Sequence, residues 1–106
     1  MRVESTVKRW GGFLILPEYM TYQQLLAWEN AINATKVKEG GKEPTTIEFY
    51  GALLPVAISL VTEWHIEKLP EIVTVENIPG SLALVGWLVE SVTKLFNETN
   101  EIDPNS

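Results

Sequence analysis

The hydrophobic positions of this chain form two helix-like stripes with one continuous apolar run between them. The run is Phe49–Val61, which carries no charged side chain and has Pro55 near its middle. It is shorter than the ~20 apolar residues that cross a bilayer, and it is too apolar on every side for a helix at the surface of a small domain. The pattern predicts a buried central helix over 45–66, kinked or broken near Pro55.

A capping box marks the start of each of the first two predicted helices. Thr21 is followed three residues later by Gln24, and Thr45 by Glu48. In this motif the hydroxyl accepts a free amide of the first turn, and the longer side chain reaches back to the amide of the capping residue. The first helix is predicted over 21–39, where Gly40 and Gly41 provide a helix stop.

A third helix is predicted over 81–97, after the turn-forming pair Pro79-Gly80. Ser81 is a favourable N-cap residue. Apolar residues then recur at helical spacing on one side of the segment, and these are Leu82, Val85, Val89, Val92 and Phe96. The segment therefore predicts an amphipathic helix that packs on the central one.

The remaining segments predict irregular or extended structure. Two short β-type runs lie on either side of Gly11-Gly12, which indicates an extended arm or a β-hairpin over 1–17. Residues 68–80 contain two prolines and no helical periodicity, so an extended crossing segment is expected there, and 99–106 is expected to be a flexible tail. The predicted fold is mostly α, with a three-helix core in a single domain over 1–98.

Composition and charge narrow the classes of function. The 106 residues contain no cysteine, which excludes disulfides and thiolate metal sites. Residues 1–42 carry a net charge of +2 and residues 43–106 a net charge of −8, which together give the −6 of the chain. This acidic second part disfavours nucleic-acid binding, because phosphate contacts require clustered lysine and arginine. The first ten residues lack the apolar stretch of a signal peptide, so a cytoplasmic location is expected.

The sequence shows no constellation of catalytic residues. His65 is the only imidazole, and no activated serine or cysteine accompanies it. Glu63 and Glu67 flank His65, but a metal site would have to rely on carboxylates, and no calcium-loop spacing is present. We therefore expect a protein that is not an enzyme, with no catalytic, cofactor-binding or metal-binding residue.

Four tryptophans in a chain of this length leave two interpretations open. They either fill the core or line an apolar groove for a partner, where tryptophan is enriched. From the geometry of the stripes, the side chains expected to face a partner are Tyr22, Leu25, Trp28 and Trp87. A second copy of the chain is another candidate for the surface that the core does not use.

The segment Leu16–Glu29, which reads LPEYMTYQQLLAWE, supports a family resemblance. It combines an arm that ends in a proline, a capped T-x-x-Q helix start and a W-E pair. Together with Glu63-Trp64-His65, Gly86-Trp87-Leu88 and the acidic tail, it resembles the tail assembly chaperones of phages and prophages with long tails. Those are small, acidic, α-rich proteins produced beside the tape-measure protein.

The resemblance implies a helper that binds the hydrophobic helical tape-measure protein during tail assembly in a bacterial cytoplasm. Such a helper covers apolar stripes and lends negative charge against aggregation. The alternative function is a small acidic inhibitor that docks on a basic host protein or nuclease. Salt dependence separates the two, because docking of charged surfaces weakens steeply with added salt and apolar contact does not. Neither function involves nucleic acid or a membrane as partner.

Overall fold

Three helices and a small three-stranded antiparallel sheet make up the part of the protein that the structure describes. The computed structural model describes residues 1–37 and 40–101, without the side chain of Glu101. The elements in chain order are β1 (Arg2–Glu4), β2 (Gly12–Ile15), α1 (Tyr22–Ala34), α2 (Thr46–Leu60), β3 (Glu63–Ile66) and α3 (Leu82–Glu101). Helices account for 48% of the described residues, so the expectation of a mostly α fold holds only in part.

The N-terminal segment forms a hairpin, and a third strand from the middle of the chain joins it. The strand order is β1-β2-β3, with both pairs antiparallel. Val3 lies opposite Leu14, and Leu14 lies opposite Trp64. These three residues turn towards the core, while Phe13 and His65 stand opposite each other on the other face. The hairpin alternative for 1–17 is therefore the one that forms.

Strand β3 corrects the predicted end of the second helix. Residues 45–66 were expected to be helical, but α2 ends at Leu60 and Glu63–Ile66 is extended. The reason is visible in the local pattern, because Glu63 and His65 are exposed whereas Ile66 is buried. This alternation has the period of a strand, and pairing with β2 satisfies backbone groups that a further helical turn would have satisfied internally.

The caps predicted for the helices form as expected. The amides of Gln24 and Glu48 each donate to the preceding threonine hydroxyl at 3.2 Å, and both capping boxes are complete. Ser81 Oγ accepts the Leu84 amide at 3.2 Å. Each start therefore falls one residue after the predicted capping position.

The ends of the helices differ from the predicted boundaries. α1 stops at Ala34 with Thr35 as its C-cap, because the Thr35 amide and hydroxyl both bond to the Ile32 carbonyl. The predicted end at 39 lies outside the described residues. α3 continues to Glu101, beyond the expected end at 97. Thr99 supports this extension, because its hydroxyl donates to the Leu95 carbonyl at 2.9 Å and accepts the Met20 amide at 3.0 Å. The rest of the predicted flexible tail, 102–106, lies outside the described residues.

Helix α2 is central, as expected, but it is not enclosed on every side. It packs on α1 and on α3, and its buried residues are Leu53, Leu54, Ala57 and Leu60. Ile47, in contrast, is 70% exposed. The helix continues through Pro55 as one element, which excludes two separate short helices. Because Pro55 has no N–H, the carbonyl of Gly51, one turn earlier, lacks its usual helical donor. Both residues are exposed, so water can bond to that carbonyl. The kink itself stays a prediction.

The core is a single apolar cluster between the sheet and the helices. Its fully buried large side chains are Trp28, Leu14, Leu16, Leu53, Leu60, Leu84, Leu88, Leu95 and Val92. Every described helix and strand except β1 therefore contributes at least one buried residue. No helix within residues 1–37 and 40–101 has the length and apolar character needed to cross a bilayer.

Candidate protein-binding surfaces

The structure divides the four residues predicted to face a partner into a surface pair and a core pair. Tyr22 is 82% exposed and Leu25 is partly exposed. Trp28 is 0% exposed and Trp87 is 7% exposed, and both belong to the core cluster. The placement of Trp28 and Trp87 on the surface is therefore corrected. Both tryptophans follow the first of the two interpretations left open by the sequence, which is filling of the core.

The burial of Trp28 leaves one polar atom without a partner. Its indole Nε1–H is buried and, in the part of the chain that the structure describes, donates no hydrogen bond. A buried donor without an acceptor costs about 1–3 kcal/mol. The apolar area that Trp28 buries outweighs this cost, since a full indole buries some 150–250 Å².

Tyr22 and Leu25 belong to a shallow apolar surface at the start of α1. We call it the α1–α3 face and define it by Tyr19, Tyr22, Leu25, Leu26 and Phe96. Two hollows of about 350 and 180 Å³ share Tyr22 and Leu25 and together cover this face. The hydrogen bond from the Met20 amide to Thr99 Oγ1 holds the beginning of α1 against the end of α3 and so fixes the relation between the two halves of the face.

A second apolar surface lies between α2 and the start of α3, and the apolar stripes of the sequence did not predict it. We call it the α2–α3 groove. It is a cleft of about 440 Å³ between α2, the segment before α3 and the first turn of α3. Its lining contains no charged side chain and consists of Ile47, Tyr50, Gly51, Leu54, Val75, Ile78, Pro79, Gly80, Ser81, Leu82 and Val85. Ile47 and Leu82 are 70% and 49% exposed, which is high for large aliphatic side chains on facing elements.

The local sequence explains why this groove stays open. Ile47, Gly51 and Leu54 are spaced at i, i+4 and i+7, so they share one face of α2. The glycine in the middle of that face has no atom within 4 Å of the position that a Cβ would occupy. The groove floor is therefore backbone at this point, and a partner can approach α2 closely.

The opposite wall of the groove is held by one turn before α3. The Thr74 amide donates to Asn77 Oδ1 at 2.7 Å, and the Asn77 amide donates to Thr74 Oγ1 at 3.2 Å. These reciprocal bonds fix the turn that carries Val75, which is 47% exposed and lines the groove. In the segment just before this turn, Ile72 is 76% exposed, whereas Val73 is buried.

Carboxylates lie next in sequence to the lining residues of the groove. Glu48 follows Ile47, and Glu76 follows Val75. The Thr45 backbone amide donates to Glu48 Oε1 at 3.1 Å, and this bond, together with the Thr45 side chain, lowers the pKa of Glu48 from its ordinary value of 4.5. Glu48 is therefore ionised at neutral pH, and its negative charge adjoins the lining residue Ile47 in the chain.

His65 and its flanking carboxylates form a surface arrangement on the outer face of the sheet. The His65 ring stacks on Phe13 with ring centroids 4.6 Å apart, and the Arg2 guanidinium lies 3.7 Å from the centroid of Phe13. His65 Nε2 is 3.5 Å from Glu63 Oε1, with both side chains about half exposed or more. Over residues 1–37 and 40–101, no group of three or more histidine, cysteine, aspartate or glutamate side chains is placed to hold a metal ion.

Comparison of this chain with protein-family models, with curated proteins and with solved structures found no match.

Proposed function

We propose that this protein is a non-catalytic binding protein that holds an apolar helical segment of a partner protein in the α2–α3 groove. The observation that carries the proposal is an uncharged cleft of about 440 Å³ in which Ile47 and Leu82 remain largely exposed. Exposed apolar surface of this kind marks interaction sites in proteins of this size. The proposal covers the role of a tail assembly helper that the sequence resemblance implies, with a tape-measure protein as the partner.

The shape of the groove favours a helix over an extended strand. Its walls are α2, the turn before α3 and α3 itself, and no strand of the sheet lines it. An extended peptide would find no strand edge with which to pair its backbone. A helix satisfies its own backbone and needs only apolar side chains at i, i+3, i+4 and i+7. Gly51 lets such a helix approach the α2 backbone.

The charge around the groove adds a second requirement for the partner. Residues 43–106 carry a net charge of −8, and the groove lies in this part of the chain. A segment whose polar side carries lysine or arginine would be steered towards it, with a salt-dependent association rate. The apolar contact would supply most of the affinity, because surface ion pairs contribute little.

Substitution of Gly51 tests the groove without opening the core. Gly51→Trp fills the cleft with a bulky apolar side chain, whereas Gly51→Ala adds one methyl group in open space. The probes are a 20-residue amphipathic Leu/Lys helix and a helical fragment of a phage tape-measure protein, and binding is measured by isothermal titration calorimetry. We expect Gly51→Trp to weaken binding at least about tenfold and Gly51→Ala, which adds a single methyl group, to weaken it much less, with a negative heat-capacity change for binding.

Two outcomes of this experiment would overturn the proposal. Equal affinity of Gly51→Trp and the unsubstituted protein would exclude the groove as the binding site. Affinity that falls steeply with salt and ignores Gly51→Trp would favour the acidic inhibitor instead. Tyr22→Ser serves as the matched variant for the α1–α3 face, because Tyr22 is the most exposed aromatic residue there, and a loss confined to Tyr22→Ser would move the site to that face.

A further inference from the structure

The open edge of the sheet at β1 presents backbone groups that belong to Arg2 and Glu4. The Ser5 amide bonds to the Gly12 carbonyl at 2.9 Å, and the Leu16 amide bonds to the Met1 carbonyl at 2.8 Å. These bonds show that the backbone N–H and C=O groups of the odd-numbered residues point towards β2. Because strand residues alternate, the N–H and C=O groups of Arg2 and Glu4 point away from β2. Within the described residues, no further strand pairs with this edge.

The sequence of β1 is complementary to itself when it runs antiparallel. When two copies of β1 pair about a two-fold axis at Val3, Arg2 of each copy lies opposite Glu4 of the other. The contact therefore contains two equivalent Arg2–Glu4 pairs. The outward backbone groups of Arg2 and Glu4 then form the hydrogen-bonded pairs of an antiparallel ladder, and Val3 meets Val3 of the second copy. Charged residues on an edge strand usually prevent pairing. Here the two charges have opposite signs, so self-pairing places opposite charges across from each other.

A cleft of about 480 Å³ lies between the first strand and α3, with Val3, Glu4 and Thr6 on one side and α3 residues such as Glu90 and Lys94 on the other. The side chains of Arg2 and Glu4 are 58% and 65% exposed, and they already form an ion pair at 2.5 Å. A second copy of the strand would extend this ion pair into an alternating array of four charges.

We propose that β1 is a self-association edge, through which two copies of this chain form an isologous dimer with a continuous six-stranded antiparallel sheet. A two-fold axis through Val3 uses the same surface on both copies, so the contact closes on itself and does not propagate. Three residues per copy bury less surface than a stable interface requires. The dimer is therefore weak, and we expect a dissociation constant on the order of 100 μM. This proposal does not depend on the function proposed for the α2–α3 groove.

Charge exchange across the two-fold axis provides the test. Sedimentation equilibrium at low salt, up to about 1 mM protein, measures the association of Arg2→Glu and of Glu4→Arg, each alone and in an equimolar mixture. Each variant alone places like charges opposite each other, and we expect its association to weaken at least about tenfold. The mixture restores opposite charges in both pairs, so we expect heterodimers at or above the association of the unsubstituted protein.

Further variants separate a pairing edge from a general charge effect. Glu4→Pro removes an outward amide but none of the bonds between β1 and β2, and it is expected to be monomeric with an unchanged circular dichroism spectrum. Glu63→Arg makes the same kind of charge change on the opposite edge strand and is expected to associate like the unsubstituted protein. The proposal is overturned by a monomer at 1 mM, by a mixture that associates no better than its components, or by an effect of Glu63→Arg.

Discussion

Replacement of Gly12 by alanine should disrupt the sheet at its central strand. Gly12 has a φ of +123°, a conformation that residues with a side chain rarely adopt, and it lies opposite Ile66 in β3. A Cβ at this position would come within 2.0 Å of the His65 carbonyl oxygen, where ordinary contact begins at 3.4 Å. The obstructing atom belongs to the backbone, so it can move only if β3 moves with it.

The expected loss of unfolding free energy is about 3–5 kcal/mol. Backbone strain of this kind costs about 1–3 kcal/mol, and the remainder comes from displaced pairing between β2 and β3, in the range of large single-residue effects. Domains of this size are stable by only about 5–15 kcal/mol. Gly12→Ala should therefore remove a large part of the total and lower the urea midpoint of unfolding.

Urea denaturation followed by tryptophan fluorescence measures this effect, with Gly51→Ala as the control. Gly51 lies inside α2 with open space around its missing side chain, so alanine there should raise stability by about 0.5–1 kcal/mol. The two Gly→Ala changes are therefore expected to have opposite signs. A loss of unfolding free energy below about 1 kcal/mol for Gly12→Ala would refute the reasoning, since it would show that β3 can shift away from the added Cβ with little loss of stability.

Three further predictions concern the core, the helix contact and one cap. Trp28→Ala should cost about 3–5 kcal/mol in urea denaturation, whereas Trp28→Phe should cost clearly less because it also removes the unpartnered indole N–H. At Gly86, a Cβ would lie 3.1 Å from the Tyr50 hydroxyl oxygen; Gly86→Val should therefore lower the free energy of unfolding by about 2 kcal/mol in urea denaturation. The pKa of Glu48 is lowered in the folded state, so its contribution to stability is complete above about pH 4.5 and is lost as the pH falls through the lowered pKa. Thermal melts of Glu48→Gln should lack this acid-dependent component, and an identical pH profile for both proteins would contradict the assignment.

Local signals in the sequence were sufficient for the starts of the helices. Thr21, Thr45 and Ser81 cap helices as predicted, because a cap depends on residues only three positions apart. The hairpin around Gly11-Gly12 was likewise one of the two alternatives that the short β-type runs indicated. In these places the interactions that determine the structure lie within a few residues of each other.

The errors arose where partners distant in the chain determine the structure. Glu63–Ile66 follows a helix directly, and only β2, far earlier in the chain, provides the pairing that makes it a strand. Trp28 belongs to an apolar stripe of α1, and such a stripe is compatible with either a core or a binding groove. The packing of α1 on α2, which the sequence does not show, buries it. The all-round apolar character of α2 predicted burial on every side. In the structure, one face of α2 remains uncovered at Ile47, so the apolar character of the helix indicated a groove instead.

The position of β2 between its two neighbours imposes an order on folding. Val3 and Leu14 are 11 positions apart in the chain, whereas Leu14 and Trp64 are 50 positions apart. Closing the longer loop costs about 1 kcal/mol more chain entropy than closing the shorter one. The hairpin and the capped helices can therefore form early, and β3 docks late. Until it docks, the second edge of β2 stays open, and that interval is when a newly made chain is most exposed to pairing with a neighbour.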